Sequence, residues 1–303
     1  RSYLFEFSLG EHRLPTDLNW NDRQDGEYIE EVAYTHDGQA HGNIRPGTYD
    51  VYVSRGLEYD LAIERGVVVK GGERADISLV LNRSVNTQDY VSADLHLHSA
   101  GSLDSSMSLD KRILSSVAEG LEVAVSTDHN FIVDYEPTIA NLGLQDWIKS
   151  IVGVEVSTLE MGHFNAFPLD YDVGAASHFP FVEYCYEPRA DKSNATAFDW
   201  VECKPAQIFD HVRQLGKYHY DSTVVQVNHP RDSVLGYFSQ YYMNPYTSVP
   251  EESPSDDNYS MVSLIYPQNS ITGQFKRENF SFEFDAIEVF NGKRLDQLHD
   301  FRL

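Results

Sequence analysis

The residues able to do chemistry gather in a few short runs. The first is VSADLHLHSAGSLDSS at residues 91–106, where His96 and His98 stand two apart between Asp94 and Asp104. Ala93, Leu95 and Leu97 alternate with Asp94, His96 and His98, a period of two that predicts a strand. Both imidazoles then project from one face, roughly 7 Å apart along the chain, close enough to bend toward one cation. Imidazole ligates Zn, Fe, Ni and Cu. Two surface histidines on a half-buried strand would show the same spacing, so the rest of the chain has to decide.

Further polar groups recur where apolar runs stop. Asp128 and His129 follow LEVAVST, His229 follows STVVQVN, and Asn291 follows FDAIEVF. Such positions mark C-terminal strand ends, where loops of parallel α/β folds converge on active sites. Glu155 lies inside the apolar run IVGVEVS, and a buried carboxylate costs several kcal/mol unless it is paired, hydrogen-bonded or metal-bound. Taken singly, Glu155 could pair with an arginine, His163 of EMGHFNAF could donate to a carbonyl, and His229 before Pro230 could shape a turn. One shared metal centre accounts for all of them at once.

Elements that would carry these groups are legible from residue 91 onward. SLDKRILSSVAEG predicts a helix with Ser108 as N-cap, Leu109, Ile113 and Val117 as its apolar stripe and Gly120 as its stop. KPAQIFDHVRQLG predicts another, with Pro205 in the first turn, Ile208, Val212 and Leu215 as the stripe, and Gly216 ending it. Apolar strands interleave with these helices, which implies a largely parallel sheet, open or closed into a barrel. Before a boundary near residue 88 the pattern is all-β. GTYDVYV alternates Tyr49, Val51 and Val53 with its neighbours, and GVVVKGGERADISLVL predicts a hairpin turning at Gly71-Gly72, with Ile77, Leu79 and Leu81 on one face. The expectation is a small β-sandwich over 1–88 followed by an α/β domain over 89–303.

Composition limits the partners. The 303 residues carry a formal net charge of −24, which disfavours nucleic acid over most of the surface and makes a small-molecule substrate the expected partner. No apolar run approaches the roughly 20 residues of a membrane span, so none is expected. No secretory leader is visible after Arg1, although one could have been removed, and the compartment stays open between cytoplasm and the periplasm or exterior. Cys185 and Cys203 are too few for a disulfide framework and lack zinc-site spacing, while a single bridge stays open.

Taken in order, DLHLHS, Asp104, TDHN, GVE, GHFNAF and NHPR resemble the motifs of the polymerase and histidinol phosphatase (PHP) metallohydrolases, over about residues 88–294. The nearest-looking subgroup is that of the carbaryl and related carbamate or ester hydrolases, whose preceding β-sandwich is faintly similar to GTYDVYVSRGLEYD. The resemblance implies a distorted, TIM-like β/α barrel with two to three divalent ions, Zn, Fe or Mn. It gives His96, His98 and Glu155 to a first metal, Glu155, His163 and His229 to a second, and Asp104 and His129 to a third. Asp128 is then expected to accept the outer N–H of a ligand, with Asp94 in a similar place. The family also uses a late Asp-x-His, which does not follow Asn291 here; His299-Asp300 has the reverse order, on a predicted amphipathic helix. A shortened chain, or a separate C-terminal polypeptide completing the barrel, would explain the difference.

Two ions sharing a carboxylate lower the pKa of a bridging water toward neutrality, so the expected nucleophile is hydroxide. Arg231 is the candidate to stabilise developing charge, with Lys293 and Arg294 as weaker ones. His178, Asn130 and Asn165 could reach the pocket from loops. Two long segments rich in Tyr, Phe and Pro, around 170–200 and 232–261, could wall it or pack into the core. The leading expectation is a metal-dependent hydrolase of small phosphoesters. Carboxylic ester or carbamate hydrolysis by the same centre is the alternative, and a non-catalytic, metal-stabilised binding protein the third.

Overall fold

The structure is a computed structural model, and the residues it describes are 3–9, 28–158, 161–171, 204–232, 235–251, 279–289 and 291. Cys185, Cys203, His178, Lys293, Arg294 and His299-Asp300 lie outside them. The fold is mixed α/β, and its contacts divide into two compact units, Arg1–Asp94, Met107–Ala124 and Tyr135–Ser150 in one, and Leu95–Ser106, Val125–Asp134 and Ile151–Leu303 in the other. No helix among the described residues is long and apolar enough to cross a membrane.

The first unit holds β1 (Tyr3–Leu9), β2 (Tyr28–Thr35), β3 (Gly47–Ser54) and β4 (Ala62–Val69), an antiparallel sheet in the order β2-β1-β3-β4. Tyr49, Val51, Tyr52 and Val53 of β3 are all buried, so the strand is covered on both faces and the expected alternation is lost. Its one acid, Asp50, is satisfied by Arg65 Nη1 and the Gly66 N–H, both at 2.9 Å. After β4 the chain turns at Gly71-Gly72, but residues 74–82 form no strand, which corrects the predicted hairpin. On the expected face Leu79 and Leu81 are half-buried and Ile77 is exposed, so that face is only partly covered, and alternation alone does not make a strand. One four-stranded sheet is therefore described where a sandwich was expected.

Also in this unit, α1 (Leu109–Ala118) begins where Ser108 accepts the Lys111 N–H and ends before Gly120, as its sequence predicts. Ile113 and Val117 are buried, and the helix packs on β2. A shorter helix, α2 (Glu136–Asn141), buries Ile139. The strands β5 (Ala93–Leu97), β6 (Val123–Ser126) and β7 (Lys149–Val152) form a three-stranded sheet in the order β5-β6-β7.

The second unit contains β8 (Val154–Ser157), β9 (His163–Phe167), β10 (Val224–Val227) and β11 (Ala286–Ile287), in the order β11-β10-β9-β8. Only β10 and β11 pair in parallel, whereas β9 is antiparallel to both β8 and β10, so this sheet is not the largely parallel one expected. The cause is the short link from β8 to β9, far below the dozen or so residues a parallel crossover needs. Gly153 separates β7 from β8, and a Cβ on it would lie 2.8 Å from Ala166 O and 3.0 Å from Ser126 O. Only glycine allows the strand to pass so close.

This sheet has two faces of different character, set by the period of two. Val154, Val156, Phe164, Ala166, Val225 and Val227 point into one core with exposures of 0%. Helix α3 (Pro205–Gln214) covers that core with Ile208, Phe209 and Val212, each such side chain stabilising by roughly 1.5–3 kcal/mol. Helix α4 (Tyr237–Gln240) adds Tyr237, stacked on Phe280 with ring centroids 4.6 Å apart. Tyr237 and Tyr241, from the second aromatic-rich segment, thus serve the core and not a pocket wall. The other face carries Glu155, His163, Asn165 and Gln226, polar yet at most 5% exposed, followed by equally buried Asn228. A polar face survives burial only when its groups bond one another.

Candidate metal centre

Glu155 sits in β8 between Val154 and Val156, so the valines that bury the strand also force the carboxylate onto the polar face. Its Oε2 lies 3.2 Å from His96 Nε2, 3.2 Å from His98 Nε2 and 3.0 Å from His129 Nδ1. Oε1 lies 3.0 Å from His163 Nδ1 and 3.6 Å from His229 Nε2. Five imidazoles thus surround one buried carboxylate. Each arrives by a different route: His96 from β5, His98 just past it, His129 after β6, His163 at the start of β9 and His229 after β10. Asp104 lies 3.4 Å from His98 Nδ1 and 3.4 Å from His129 Nε2 at the exposed side. Six of the seven residues that the sequence marks as ligands fall into three sets close enough to share an ion: His96, His98 and Glu155; His98, Asp104 and His129; His129, Glu155 and His163. The seventh, His229, stands beside them at 3.6 Å from Glu155 Oε1, so the set found around Glu155 and His163 holds His129 where His229 was expected.

Local backbone features aim these rings. Gly162, at φ +94°, lets the chain enter β9 against the Tyr237 backbone, where a Cβ would stand 2.7 Å from its N and Cα. His229 adopts φ +27°, strained for a residue with a side chain, and its N–H is taken by Glu288 at 2.7 Å. Asn130, at φ +57°, accepts the Ser157 N–H at 2.9 Å, and the Ser157 hydroxyl in turn meets His129 Nδ1.

Charge in this cluster is strongly coupled. Burial would push the His96 imidazolium down, but Glu155 and Glu288 more than offset it and hold its pKa up to about 10. His129 is likewise raised, against its burial, by Glu155 and Asp104. His163 is shifted the other way: burial, joined by the neighbouring His229 and His129, outweighs its bond to Glu155 and favours the neutral ring. Glu155 is held well below the usual carboxylate range, its desolvation overcome by the surrounding histidines. The ring-and-carboxylate set is thus a cage for positive charge.

That cage fits divalent ions. Three imidazole nitrogens stand 3.0–3.2 Å from Glu155 Oε2, yet none is aligned to hydrogen-bond it, and a buried acceptor oxygen ringed in this way suits coordination better than hydrogen bonding. Neutral imidazoles with carboxylates are the donor set of Zn, Fe and Mn.

Residues 94–279 match the PHP domain, 186 of the 303 residues. The chain belongs to the PHP family. PHP domains bind divalent metals and their members are generally metal-dependent phosphoesterases or hydrolases, and the His/Glu cluster of this chain could bind metal. No curated protein matches the chain.

Around the cluster of this PHP domain, the other expected site residues make the following bonds. Asp128 is fully buried; its Oδ1 accepts the Ser99 N–H at 2.6 Å and its Oδ2 the Ser99 hydroxyl at 2.7 Å. It therefore fixes the backbone just after His98. Arg231 donates from Nη1 to Met243 O at 2.5 Å and lies over the Phe238 ring. Asn165 bonds Leu95 O at 2.8 Å and accepts from Asn228, so it ties strands together. Four residues escaped the sequence reading: Ser102 and Ser157, which bond His98 and His129; Asn228, which donates to Glu155 Oε1 at 3.0 Å; and Glu288, 2.9 Å from His96 Nδ1. For Glu288 a signal was present, an acid inside the apolar run AIEVF.

Proposed function

We propose that this chain is a metal-dependent hydrolase of small phosphoesters. The observation that carries the reading is the Glu155 carboxylate, shared on its two oxygens by five histidines. His96, His98 and Glu155 would hold a first ion, Glu155, His163 and His229 a second, and Asp104 and His129, with His98 beside them, a third. Such ions supply an acidified water and positive charge for a substrate oxygen.

The chain's own residues contribute orientation and charge. Glu155 presents one oxygen to each side, so a single carboxylate fixes the spacing between the two groups of ligands. Asp128 holds the turn after His98 through Ser99, which sets where that ring points. Asp104, half open to solvent, would hold the third ion from the exposed side of the cluster. Arg231 is the cation nearest in sequence to His229 and is assigned to charge that develops on the substrate; it would have to leave the Met243 carbonyl to reach it. Closure of a distorted TIM-like barrel, with the all-β region before residue 88 as a separate domain, belongs to the same proposal.

A panel of aryl phosphates, phosphodiesters, aryl esters and carbamates, assayed with Mn²⁺, Fe²⁺ and Zn²⁺, tests it. Hydrolysis of phosphoesters that chelation abolishes is expected. Turnover of only the esters or carbamates would move the reading to that chemistry, and a metal-replete protein inert toward the whole panel would favour a binding role.

A further inference from the structure

Glu288 follows the two-residue strand β11, and its N–H bonds Val227 O at 2.8 Å, extending the parallel pairing one step beyond the strand. That register sets its side chain beside the residues that follow β10. Oε1 lies 2.9 Å from His96 Nδ1, and Oε2 accepts the His229 N–H at 2.7 Å and an Asn291 side-chain N–H at 2.9 Å. Both carboxylate oxygens are thus engaged by nitrogen donors, and the side chain is only 9% exposed. His96 turns its other nitrogen, Nε2, toward Glu155. Glu288 and Asn291 both fall beyond the stretch that matches the PHP domain, 94–279.

We infer that Glu288 is a positioning residue: by accepting the Nδ1–H of His96 and the backbone N–H of His229 it fixes the tautomer and direction of one ligand and the strained backbone of another. It does not itself ligate, because its oxygens are already directed at N–H groups. With the Nδ1 proton held there, only Nε2 of His96 has a lone pair to offer, and it points into the cluster. A carboxylate behind a ligating imidazole also makes the ring a better donor. Through its two oxygens Glu288 reaches one ligand from each side of the Glu155 bridge, and Asn291 keeps it from rotating away.

This inference rests on the metal reading of the cluster, so the test separates the two. Stripped wild-type protein and Glu288→Gln are titrated with Zn²⁺ against a chromophoric chelator, and ring ¹⁵N spectra are taken of the Zn²⁺-loaded wild type. Wild type should bind Zn²⁺, and Glu288→Gln, folded by circular dichroism, should bind it about ten- to hundredfold more weakly. The His96 ring should carry its proton on Nδ1 and the metal on Nε2. Failure of the wild type to take up Zn²⁺ would overturn the metal reading and the inference with it. Binding by wild type with unchanged affinity in Glu288→Gln would overturn the inference alone. Where Glu288→Gln does not fold, the wild-type ring spectrum decides, and a proton on Nε2 of His96 would overturn the role assigned here.

Discussion

Glu155 and His163 meet across the hairpin of β8 and β9, Oε1 to Nδ1 at 3.0 Å, although they are not directly opposed: His163 pairs with Ser157 and Glu155 with Asn165. They are diagonal neighbours on one face, within reach because both side chains are directed away from the valine core. Slipping the register by one residue would send Glu155 into that core. The hairpin therefore fixes the ligand pair and the core packing together.

Replacing Glu155 by Gln should abolish metal uptake at the two positions that share it, and hydrolysis with them. The stripped variant should also lose about 3 kcal/mol of stability, because the buried carboxylate that His96 and His129 share is gone, leaving His96 with Glu288 alone and His129 with Asp104 alone. Metal analysis and urea unfolding of the variant beside wild type measure both. Full metal content in Glu155→Gln would contradict the centre.

For His98→Ala the expected pattern is different. His98 lies just after β5 at the partly open side of the cluster, so its loss should weaken metal binding by about a hundredfold or more while the stripped protein loses less than about 1 kcal/mol. A large drop in melting temperature with excess metal present would show that the ring mainly packs.

The stripped protein should lose stability as the medium becomes alkaline. His96 has a folded pKa of about 10 against an ordinary 6.5, so its contribution is complete below about pH 6.5 and disappears as pH rises through 10. Glu155, depressed in the fold, works at the other end: its contribution is present above about its ordinary 4.5 and is lost as pH falls through the lower folded value. Metal reverses the alkaline trend, because ligation needs deprotonated imidazoles and releases their protons. Melting temperature against pH, with and without Zn²⁺, checks this: the stripped curve should fall between pH 7 and 10, and Zn²⁺ affinity should rise over the same range.

Gly162→Ala should cost about 2–4 kcal/mol, combining a left-handed backbone with a Cβ forced against Tyr237. His163 is the next residue, so metal affinity should fall as well. Denaturant unfolding and a Zn²⁺ titration measure the two effects, and a variant as stable as wild type would show that the turn has room to shift.

The histidines and acids, their order along the chain and the PHP resemblance were legible in the sequence, because ligand chemistry is a property of residue type and these residues stand at the ends of apolar runs that must form strands. Helices α1 and α3 were equally legible, since Ser108, Gly120 and Pro205 act through local backbone geometry. Strand direction was not: the alternation in HFNAF assigns its residues to two faces but carries no direction, and only the short link from β8 makes β9 antiparallel. Nor could the sequence separate Ile77, Leu79 and Leu81 from a true strand, because a period of two becomes a strand only when its backbone finds a neighbour to pair with. The partners of Glu155 and Glu288 were decided by tertiary structure alone. Glu288 is 192 residues from His96 and 59 from His229, and no local rule relates them until β10 and β11 pair.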